Sequence, residues 1–466
     1  MHVLDAPSVT PSPRSAAHPL LQTYWIAPVL LAALFTCGFA YLVSDYQPSP
    51  DAREYLTLGI HLAESGSLRL QTGEVAKRMP LYPALLAAVR RWQGPEAWEN
   101  AALAIQTILC AASVVLIGVI ARRLADPLAG LVAGLIAALY APYRYLQMSF
   151  LTESLAIFLL LSAVCVYLAA CGMKSSRTAD AVRAGASLLL GLCILTRADA
   201  AVFVLPFMFD AALRGGAFRR RACRIAVVIL PAVLCAAGWG LRNSSVLGTF
   251  TLSTAGGLNF HLGHNVEYAQ CPDMQDADYG AFDRLRAAGL SEAEADRRLY
   301  DQGLAFIRAN SGETISNVLR KVVVWLTPHV TDSAPSTVLI MLLVLAFHGR
   351  SMVRVNPSSD AARWFFRSAT IGAIAIGAFW ALVLSRTDRP WTSPREVIPL
   401  GLAALVLYGS RLRLQGLLIG LVAAQLLVAV AYVPLERLRW TIDGLLIVAI
   451  GAAVSRLCSR STAAPV

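Results

Sequence analysis

Long apolar stretches separated by short polar segments form the dominant pattern of this chain. Stretches of roughly 15 to 22 residues with almost no charge recur from Tyr24 onward, and a helix needs about 20 such residues to cross a bilayer. Lipid offers no partner for unpaired backbone groups, so these stretches are expected to be helical. The pattern predicts an all-α polytopic membrane protein in which residues 24–457 form a single transmembrane domain.

Arginine clusters between the apolar stretches orient the predicted spans, because positive residues collect on the cytoplasmic side. With the N-terminus inside, Tyr24–Val43 leads outward and Ala101–Ala121 returns to a basic pair. Continued alternation predicts about 12 transmembrane helices with both termini cytoplasmic. Residues 1–23 and 458–466 are then cytoplasmic tails, of which the first is rich in Pro and Ser and is expected to be disordered.

The remaining apolar stretches alternate in the same way. One span over residues 185–213 would put a basic cluster outside, so two short helices with Thr196–Asp199 at their outward tip are expected there. The other predicted spans are 128–147, 150–171, 225–241, 335–347, 368–385, 395–409, 414–433 and 440–457.

Two extended outer loops interrupt this alternation, and the first covers residues 44–100. Asp51–Glu64 has the pattern of an amphipathic helix, and Met79–Trp92 is hydrophobic but too short to span. Both segments are expected to lie as surface helices along the outer face of the membrane.

The second outer loop covers residues 242–334. A helical pattern begins there at Ser291, and the spacing from Ser291 to Glu294 matches a capping box. The pattern breaks near Asn310–Gly312, so two consecutive helices are predicted.

Composition narrows the functional class. Of the 466 residues, 57% are hydrophobic and only 15% are charged, which is more apolar surface than one soluble core can hide. The net charge of +11 does not indicate a nucleic-acid partner, because the basic residues sit in short clusters that set topology. The nine cysteines show neither a disulfide framework nor a CxxC metal motif.

Unusual polar residues collect at the outward ends of the predicted helices. Ionisable groups at membrane depth are costly, which makes them candidates for function. The outward candidates are Asp45, Asp51, Arg78, Glu153, Arg197, Asp199, Arg242, Asn243 and Arg395.

Each class of candidate also has a purely structural interpretation. Glu153 opens an otherwise apolar helix, where a carboxylate gains from the helix dipole, and Asp51 precedes a helix that it could cap. The arginines could snorkel to the interface or pair with the acids, although four of them on the non-cytoplasmic side also suit phosphate binding. These alternatives stay open at the level of the residues.

Cofactor use is equally open. The histidines are dispersed and form no H-x-x-x-H or H-x-x-E pair, whereas two carboxylates could hold a divalent cation. No P-loop or dinucleotide-binding glycine motif is present, so no nucleotide cofactor is expected.

Five short patterns follow one another along the chain. They are Asp51-x-x-x-Tyr55, Arg78-Met79-Pro80-Leu81-Tyr82-Pro83, Leu151-Thr152-Glu153, the run from Gly191 to Arg197, and Gly238–Asn243 with Gly256–Asn259 after it. In their order and spacing the chain resembles the C-type (GT-C) integral-membrane glycosyltransferases, over about residues 24–410. The likeness is to bacterial relatives of the dolichyl-phosphate-mannose protein mannosyltransferases and of the aminoarabinose and galacturonic acid transferases acting on lipid A. Ala198 and His264 depart from the family's pattern.

The resemblance implies an inverting glycosyltransferase. An acid in the first outer loop acts as base on the acceptor hydroxyl, which attacks the anomeric carbon of a polyprenyl-phosphate sugar, and Asp51 matches that position; whether Asp45 serves instead stays open. The predicted site comprises Asp51 and Glu153 as catalytic residues, Arg78, Arg197, Arg242 and Arg395 as ligands of the donor phosphate, and Tyr55, Tyr82, Asn243 and Asn259 as substrate-binding residues.

The expected setting is the bacterial inner membrane with the active site facing the periplasm. The expected partners are a polyprenyl-phosphate-linked sugar, the lipid bilayer and an envelope acceptor of lipid, polysaccharide or protein. A secondary transporter is an alternative, but no internal repeat is visible in the sequence. A membrane ligase or acyltransferase for lipid-linked envelope precursors is a third interpretation.

Reporter fusions test the predicted orientation. An alkaline phosphatase domain joined after Leu70 or after Phe260 is expected to be active, because both positions fall in predicted outer loops. A fusion after Arg123 is the matched control and should be inactive. Activity only from the Arg123 fusion would invert the topology and with it the side of the candidate site.

Overall fold

The computed structural model describes residues 25–43, 48–214, 216–266, 268, 277–326 and 415–460. Within these ranges the chain is helical, as predicted. The predicted spans 335–347, 368–385 and 395–409 lie outside the described residues, as do Asp45 and Arg395. The number of spans therefore stays a prediction.

The described helices alternate between long membrane-length helices and shorter ones. In chain order they are α1 Ile26–Val43, α2 Pro50–Ser65, α3 Leu81–Gln93, α4 Trp98–Leu124, α5 Pro127–Leu139, α6 Ala141–Gln147, α7 Glu153–Cys171, α8 Ser176–Thr196, a 3-10 helix Ala198–Phe203, α9 Val204–Leu213, α10 Phe218–Leu247, α11 Gly256–Gly263, α12 Ala281–Ala287, α13 Glu292–Ala309, α14 Ser311–Leu326, α15 Gln415–Ala431 and α16 Glu436–Arg460.

Five of the described helices are long and apolar enough to cross a membrane. They are α4, α7, α8, α10 and, over Arg437–Arg456, α16. Such helices satisfy all their backbone hydrogen bonds internally, which is the condition for crossing lipid. The chain is thus a multi-pass membrane protein, in agreement with the hydrophobic pattern.

The centre of the bundle is formed where α16 packs against α4, α5 and α7, while α8 lies between α7 and α10. Small residues allow close approach, as at Gly134, where a Cβ would come within 2.6 Å of Val29. Most of α16 is buried among its neighbours. Its polar first turn therefore meets protein rather than open lipid.

The predicted span 128–147 is wrong as a single helix. The chain is extended at Tyr140, with a ψ of 109°, and this residue separates α5 from α6. Pro142 explains the break, because proline has no N–H to donate to the carbonyl four residues earlier and its ring clashes with that carbonyl.

Two other predicted spans are shorter than the helices in the structure. The break near Thr196 is confirmed, but α8 begins at Ser176 rather than at residue 185, and α10 extends well beyond the predicted 225–241. Apolar composition marks only the part of a helix that lies in hydrocarbon. Backbone hydrogen bonds carry the same helix on through charged residues at its ends.

The helices predicted within residues 44–100 and 242–334 are present, while their position on the outer surface stays a prediction. Helix α2 has Ser49 as its N-cap, whose hydroxyl accepts a hydrogen bond from the Ala52 N–H, so the interpretation of Asp51 as an N-cap is wrong. In the second loop, Ser291 and Glu294 form the predicted capping box. The break between α13 and α14 also falls where it was predicted.

A small apolar cluster anchors α2 and α3 to the bundle. It includes Tyr55, Tyr82, Trp98 and Phe150. Phe150 has a φ of 42°, a left-handed conformation that is rare outside glycine, and it closes the turn between α6 and α7. The packing of this cluster therefore sets where the next residues, up to Glu153, enter the site.

Candidate functional site

Eight charged side chains form one connected group where α2, α7 and α16 meet. In order of contact they are Lys77, Glu54, Arg78, Asp51, Arg437, Glu153, Arg197 and Asp199, and they are called the ion-pair row below. Four cations alternate with four carboxylates, and a fifth carboxylate, the exposed Asp283, lies 3.9 Å from Lys77, so the cations do not outnumber the carboxylates. Alternation of this kind is what allows ionised groups to be buried together.

Different elements supply the row because helix ends and breaks converge at this point. Asp51 and Glu54 lie three residues apart on α2, which places them on one face. Arg78 lies in the segment before α3, and Arg197 lies at the break after α8. Arg437 comes from the first turn of α16. This helix is far in sequence from residues 44–100, so the motifs of that segment gave no indication of Arg437.

Asp51 is held on both carboxylate oxygens. Its Oδ1 accepts from Arg78 Nη2 at 2.5 Å, and its Oδ2 accepts from Arg437 Nη2. Burial acts to raise the pKa of Asp51, but the coulombic and hydrogen-bond effects of Arg78 and Arg437 outweigh it and hold the pKa well below the ordinary value. The carboxylate is therefore ionised throughout the physiological range.

Glu153 is buried, with 2% of its side chain exposed, and it opens α7 as predicted. Its Oε1 accepts from Arg197 Nη1 at 2.7 Å and lies 3.9 Å from Arg437 Nε. The hydroxyl of Thr152 donates to Oε2 at 3.3 Å. Glu153 is thus both the first residue of its helix and a member of the ion-pair row.

Arg197 is fixed between two carboxylates. In addition to Glu153, it binds Asp199 through two parallel bonds, Nε to Oδ1 at 3.1 Å and Nη2 to Oδ2 at 3.2 Å. Burial acts to lower the pKa of Arg197, but Asp199 and Glu153 raise it, so the guanidinium stays charged. In this structure Arg197 and Arg78 both pair with carboxylates, as one of the two interpretations of these arginines predicted.

The two predicted tyrosines support Arg78 from one side. The Arg78 guanidinium stands 5.1 Å from the centre of the Tyr55 ring, a cation–π distance, and Tyr55 meets Tyr82 edge to face at 5.4 Å. Tyr82 is fully buried, and its hydroxyl donates to Gln106. Tyr55 thus borders the row, whereas Tyr82 lies in the packing behind it.

Three other predicted residues do not join the ion-pair row. Arg242 donates to the carbonyl of Val75 at 2.8 Å and stacks on Trp239, and the buried amide of Asn243 donates to the carbonyl of Thr251. Asn259 lies on α11, which packs on α13. Arg242 and Asn243 instead bind backbone carbonyls of the two predicted loops.

The second outer loop grips the backbone just before Arg78, and this grip is called the clamp. The buried carboxylate of Glu292 accepts the N–H of Val75 at 2.8 Å and the N–H of Ala76 at 3.0 Å. Thr254 donates its hydroxyl to the same carboxylate at 2.5 Å. Arg242 completes the clamp through the Val75 carbonyl.

Further contacts extend the clamp in both directions. The Ser253 hydroxyl donates to the carbonyl of Lys77 at 2.9 Å, and Arg286 lies 3.4 Å from the buried carboxylate of Glu74. Because buried backbone groups are costly to leave unpaired, these bonds define the path of the segment that presents Lys77 and Arg78.

Sequence reasoning missed four of these residues. Arg437 lies between the predicted spans 414–433 and 440–457, at an outward end, so the criterion that selected Arg197 would have found it. Glu54 lies inside the Asp51-x-x-x-Tyr55 motif, and Lys77 directly precedes the motif that begins at Arg78. Glu292 had no signal beyond its helix start, because its partners are backbone groups more than 200 residues away in sequence.

The row offers little that would hold a cation. Within the described part of the chain, no three His, Cys, Asp or Glu side chains cluster as metal ligands. Asp51 and Glu153 each face guanidinium groups, which satisfy carboxylate oxygens that a divalent ion would need. The arrangement instead presents several guanidiniums at one place, which suits an anion.

No family model and no curated protein matches the sequence. Among solved structures, the apo oligosaccharyltransferase of Archaeoglobus fulgidus aligns over 93% of this chain and 51% of its own length, with 12% identity and a TM-score of 0.52. ArnT from Cupriavidus metallidurans bound to undecaprenyl phosphate aligns over 93% and 78%, with 14% identity and a TM-score of 0.41.

The comparison with the archaeal enzyme establishes a shared fold. This chain spans about half the length of that protein. The GT-C resemblance read from the five sequence patterns is confirmed at the level of the fold.

Replacement of Glu292 tests the clamp. Glu292→Ala leaves the N–H groups of Val75 and Ala76 without their acceptor, at a cost of about 1–3 kcal/mol. Amide exchange at these two positions should accelerate about tenfold to a hundredfold, since each 1.4 kcal/mol is a factor of ten. Hydrogen–deuterium exchange with mass spectrometry measures this, and Glu292→Gln, which keeps one carbonyl oxygen, should show a smaller effect.

The matched control is Glu313→Ala, which removes a carboxylate from an exposed pair with Arg320. It should leave exchange at residues 75 and 76 unchanged. Wild-type exchange in the Glu292→Ala protein would show that the clamp does not hold this segment.

Proposed function

We propose that this protein is an inverting glycosyltransferase that moves a sugar from a polyprenyl-phosphate donor to an envelope acceptor. The observation that carries the proposal is Asp51, a partly buried carboxylate set between two guanidiniums at the loop end of a bundle that shares the oligosaccharyltransferase fold. A fold alone does not define an activity. The support comes from the pairing of a base with cations suited to a phosphate leaving group.

Asp51 serves as the general base in this proposal. It takes the proton from the acceptor hydroxyl as the hydroxyl oxygen forms its bond to the anomeric carbon of the donor. The bond between that carbon and the phosphate oxygen breaks on the opposite side, and its electron pair stays with the lipid phosphate. The anomeric configuration is therefore inverted.

The guanidiniums stabilise the departing phosphate. Arg78 lies beside Asp51, and Arg197 is one carboxylate further along the row, next to Glu153. Charge developing on the phosphate oxygens is best met by charged donors that the protein already holds in place. Glu153 orients Arg197, and Tyr55 borders the place where the substrate would bind. Arg395 remains a proposed phosphate ligand.

Arg242 and Asn243 act indirectly in this scheme. Arg242 helps the clamp to position Arg78, and Asn243 ties the end of α10 to the loop that follows. The donor would be anchored by its lipid in the bilayer, so a site at the helix ends suits its head group. The proposed location is the periplasmic face of the bacterial inner membrane.

The amide variant of Asp51 tests the proposal. In the native host, loss of the gene should remove a sugar from one envelope component, as measured by lipid and glycan mass spectrometry. The wild-type gene should restore that sugar, whereas Asp51→Asn should lower turnover by about a hundredfold to ten-thousandfold, the usual contribution of a general base.

The matched control is Glu64→Gln, a carboxylate-to-amide change at an exposed position of the same helix. It should restore the sugar fully. Restoration by Asp51→Asn at wild-type turnover would remove Asp51 as the base, and an unchanged envelope after deletion of the gene would contradict sugar transfer to that acceptor.

A further inference from the structure

Asp51 is poorly suited to act as a base in the arrangement that the structure shows. Both of its oxygens accept charge-assisted hydrogen bonds, from Arg78 and from Arg437, and its pKa is held well below the ordinary value. A general base works best with a pKa near the operating pH. Displacement of one of these two guanidiniums would free lone pairs on one oxygen and raise the pKa of Asp51, which makes it a better base.

Arg78 is the more firmly held of the two. It also binds Glu54, with Nε 2.6 Å from Oε2, it stacks over Tyr55, and only 17% of its side chain is exposed. The clamp fixes the backbone just before it. Arg78 is thus built to remain in place.

Arg437 is the looser of the two. Its side chain is 34% exposed, twice the fraction of Arg78, and its second carboxylate contact, to Glu153, is 3.9 Å long. Glu153 does not depend on that contact, because Arg197 binds the same oxygen at 2.7 Å. If Arg437 leaves the row, Asp51 is the only carboxylate among the described members of the row that loses a close partner.

Charge balance shows what would draw Arg437 away. The row has four cations and four carboxylates, and a fifth carboxylate, Asp283, lies 3.9 Å from Lys77, so the row holds no guanidinium in reserve for an added anion. A phosphate that binds within the row takes a guanidinium that already serves a carboxylate. The carboxylate that loses its guanidinium to the phosphate then has an oxygen that can accept a proton.

We infer that Arg437 binds the phosphate of the donor and thereby releases one oxygen of Asp51 to receive the acceptor proton. This inference rests on the proposed function and adds Arg437 to the phosphate-binding residues. It couples the base to the donor, because Asp51 becomes competent only when a phosphate is present.

The charges remain balanced through the reaction. The sugar phosphodiester enters with one negative charge and Asp51 carries another. When the acceptor oxygen bonds to the sugar, its proton moves to Asp51, and the electron pair of the broken bond leaves the lipid phosphate with a second charge. Arg437 then faces a dianion, while Asp51 is neutral and needs no guanidinium.

Binding of undecaprenyl phosphate to the purified full chain in nanodiscs tests the inference directly. Arg437→Gln should weaken that affinity about tenfold to a hundredfold, and Arg437→Lys should weaken it less, since it keeps the charge but not the planar fork. Arg320→Gln, at an exposed ion pair, is the matched control and should bind like the wild type. Undecaprenol should bind equally to all variants, because it lacks the phosphate.

Steady-state kinetics distinguish phosphate binding from a merely structural role. In the wild type, the acid limb of kcat should lie at higher pH than that of kcat/KM, because donor binding removes Arg437 and raises the pKa of Asp51. In Arg437→Gln the limb of kcat/KM should move up towards that of kcat. The charged and titratable groups around Asp51 are Glu54, Tyr55, Arg78, Tyr145, Glu153, Arg197, Tyr279 and Arg437.

The outcomes separate the two proposals. Sugar transfer by the wild type, together with unchanged undecaprenyl phosphate affinity in Arg437→Gln or coincident acid limbs, would overturn the inference alone. Affinity that depends on Arg437 without any sugar transfer would keep the phosphate site and overturn the proposed function.

Discussion

Everything at the candidate site depends on one constraint, which is that a carboxylate with little access to water must have a cation beside it. Asp51 and Glu153 meet that constraint through Arg78, Arg197 and Arg437. For the buried Glu153, loss of Arg197 would leave the carboxylate without a close cation, at a cost of about 3–5 kcal/mol. The ion-pair row therefore ties together α2, α7, the break after α8 and the start of α16.

The clamp extends this dependence to the second outer loop. Glu292 binds the two backbone N–H groups that precede Lys77 and Arg78. A charged side chain can be a precise phosphate ligand only if its own backbone is fixed. The two outer loops thus form one structural unit, in which one loop carries the charges and the other sets their position.

Because the carboxylates of the row already bind guanidiniums, our inference places donor binding before activation of the base. The cations of the row do not outnumber its carboxylates, so an anionic head group that binds within the row exchanges places with a carboxylate. Of the two guanidiniums on Asp51, Arg437 is the more exposed, whereas Arg78 is held by Glu54, Tyr55 and the clamp. In this arrangement the donor prepares the base that will act on the acceptor.

The sequence by itself determined the membrane class, the helices within the two predicted loops and the choice of Asp51, Arg78, Glu153 and Arg197 as candidates, because hydrophobic period, caps and charge bias are local properties. It grouped Arg242 with them, whereas the structure places Arg242 against the Val75 carbonyl, since an arginine in a sequence looks the same whether it binds an anion or a backbone carbonyl. Only the tertiary structure decided that Arg437 completes the row and that Glu292 holds the segment before Arg78. Those contacts join residues more than 200 positions apart, and no local pattern records them.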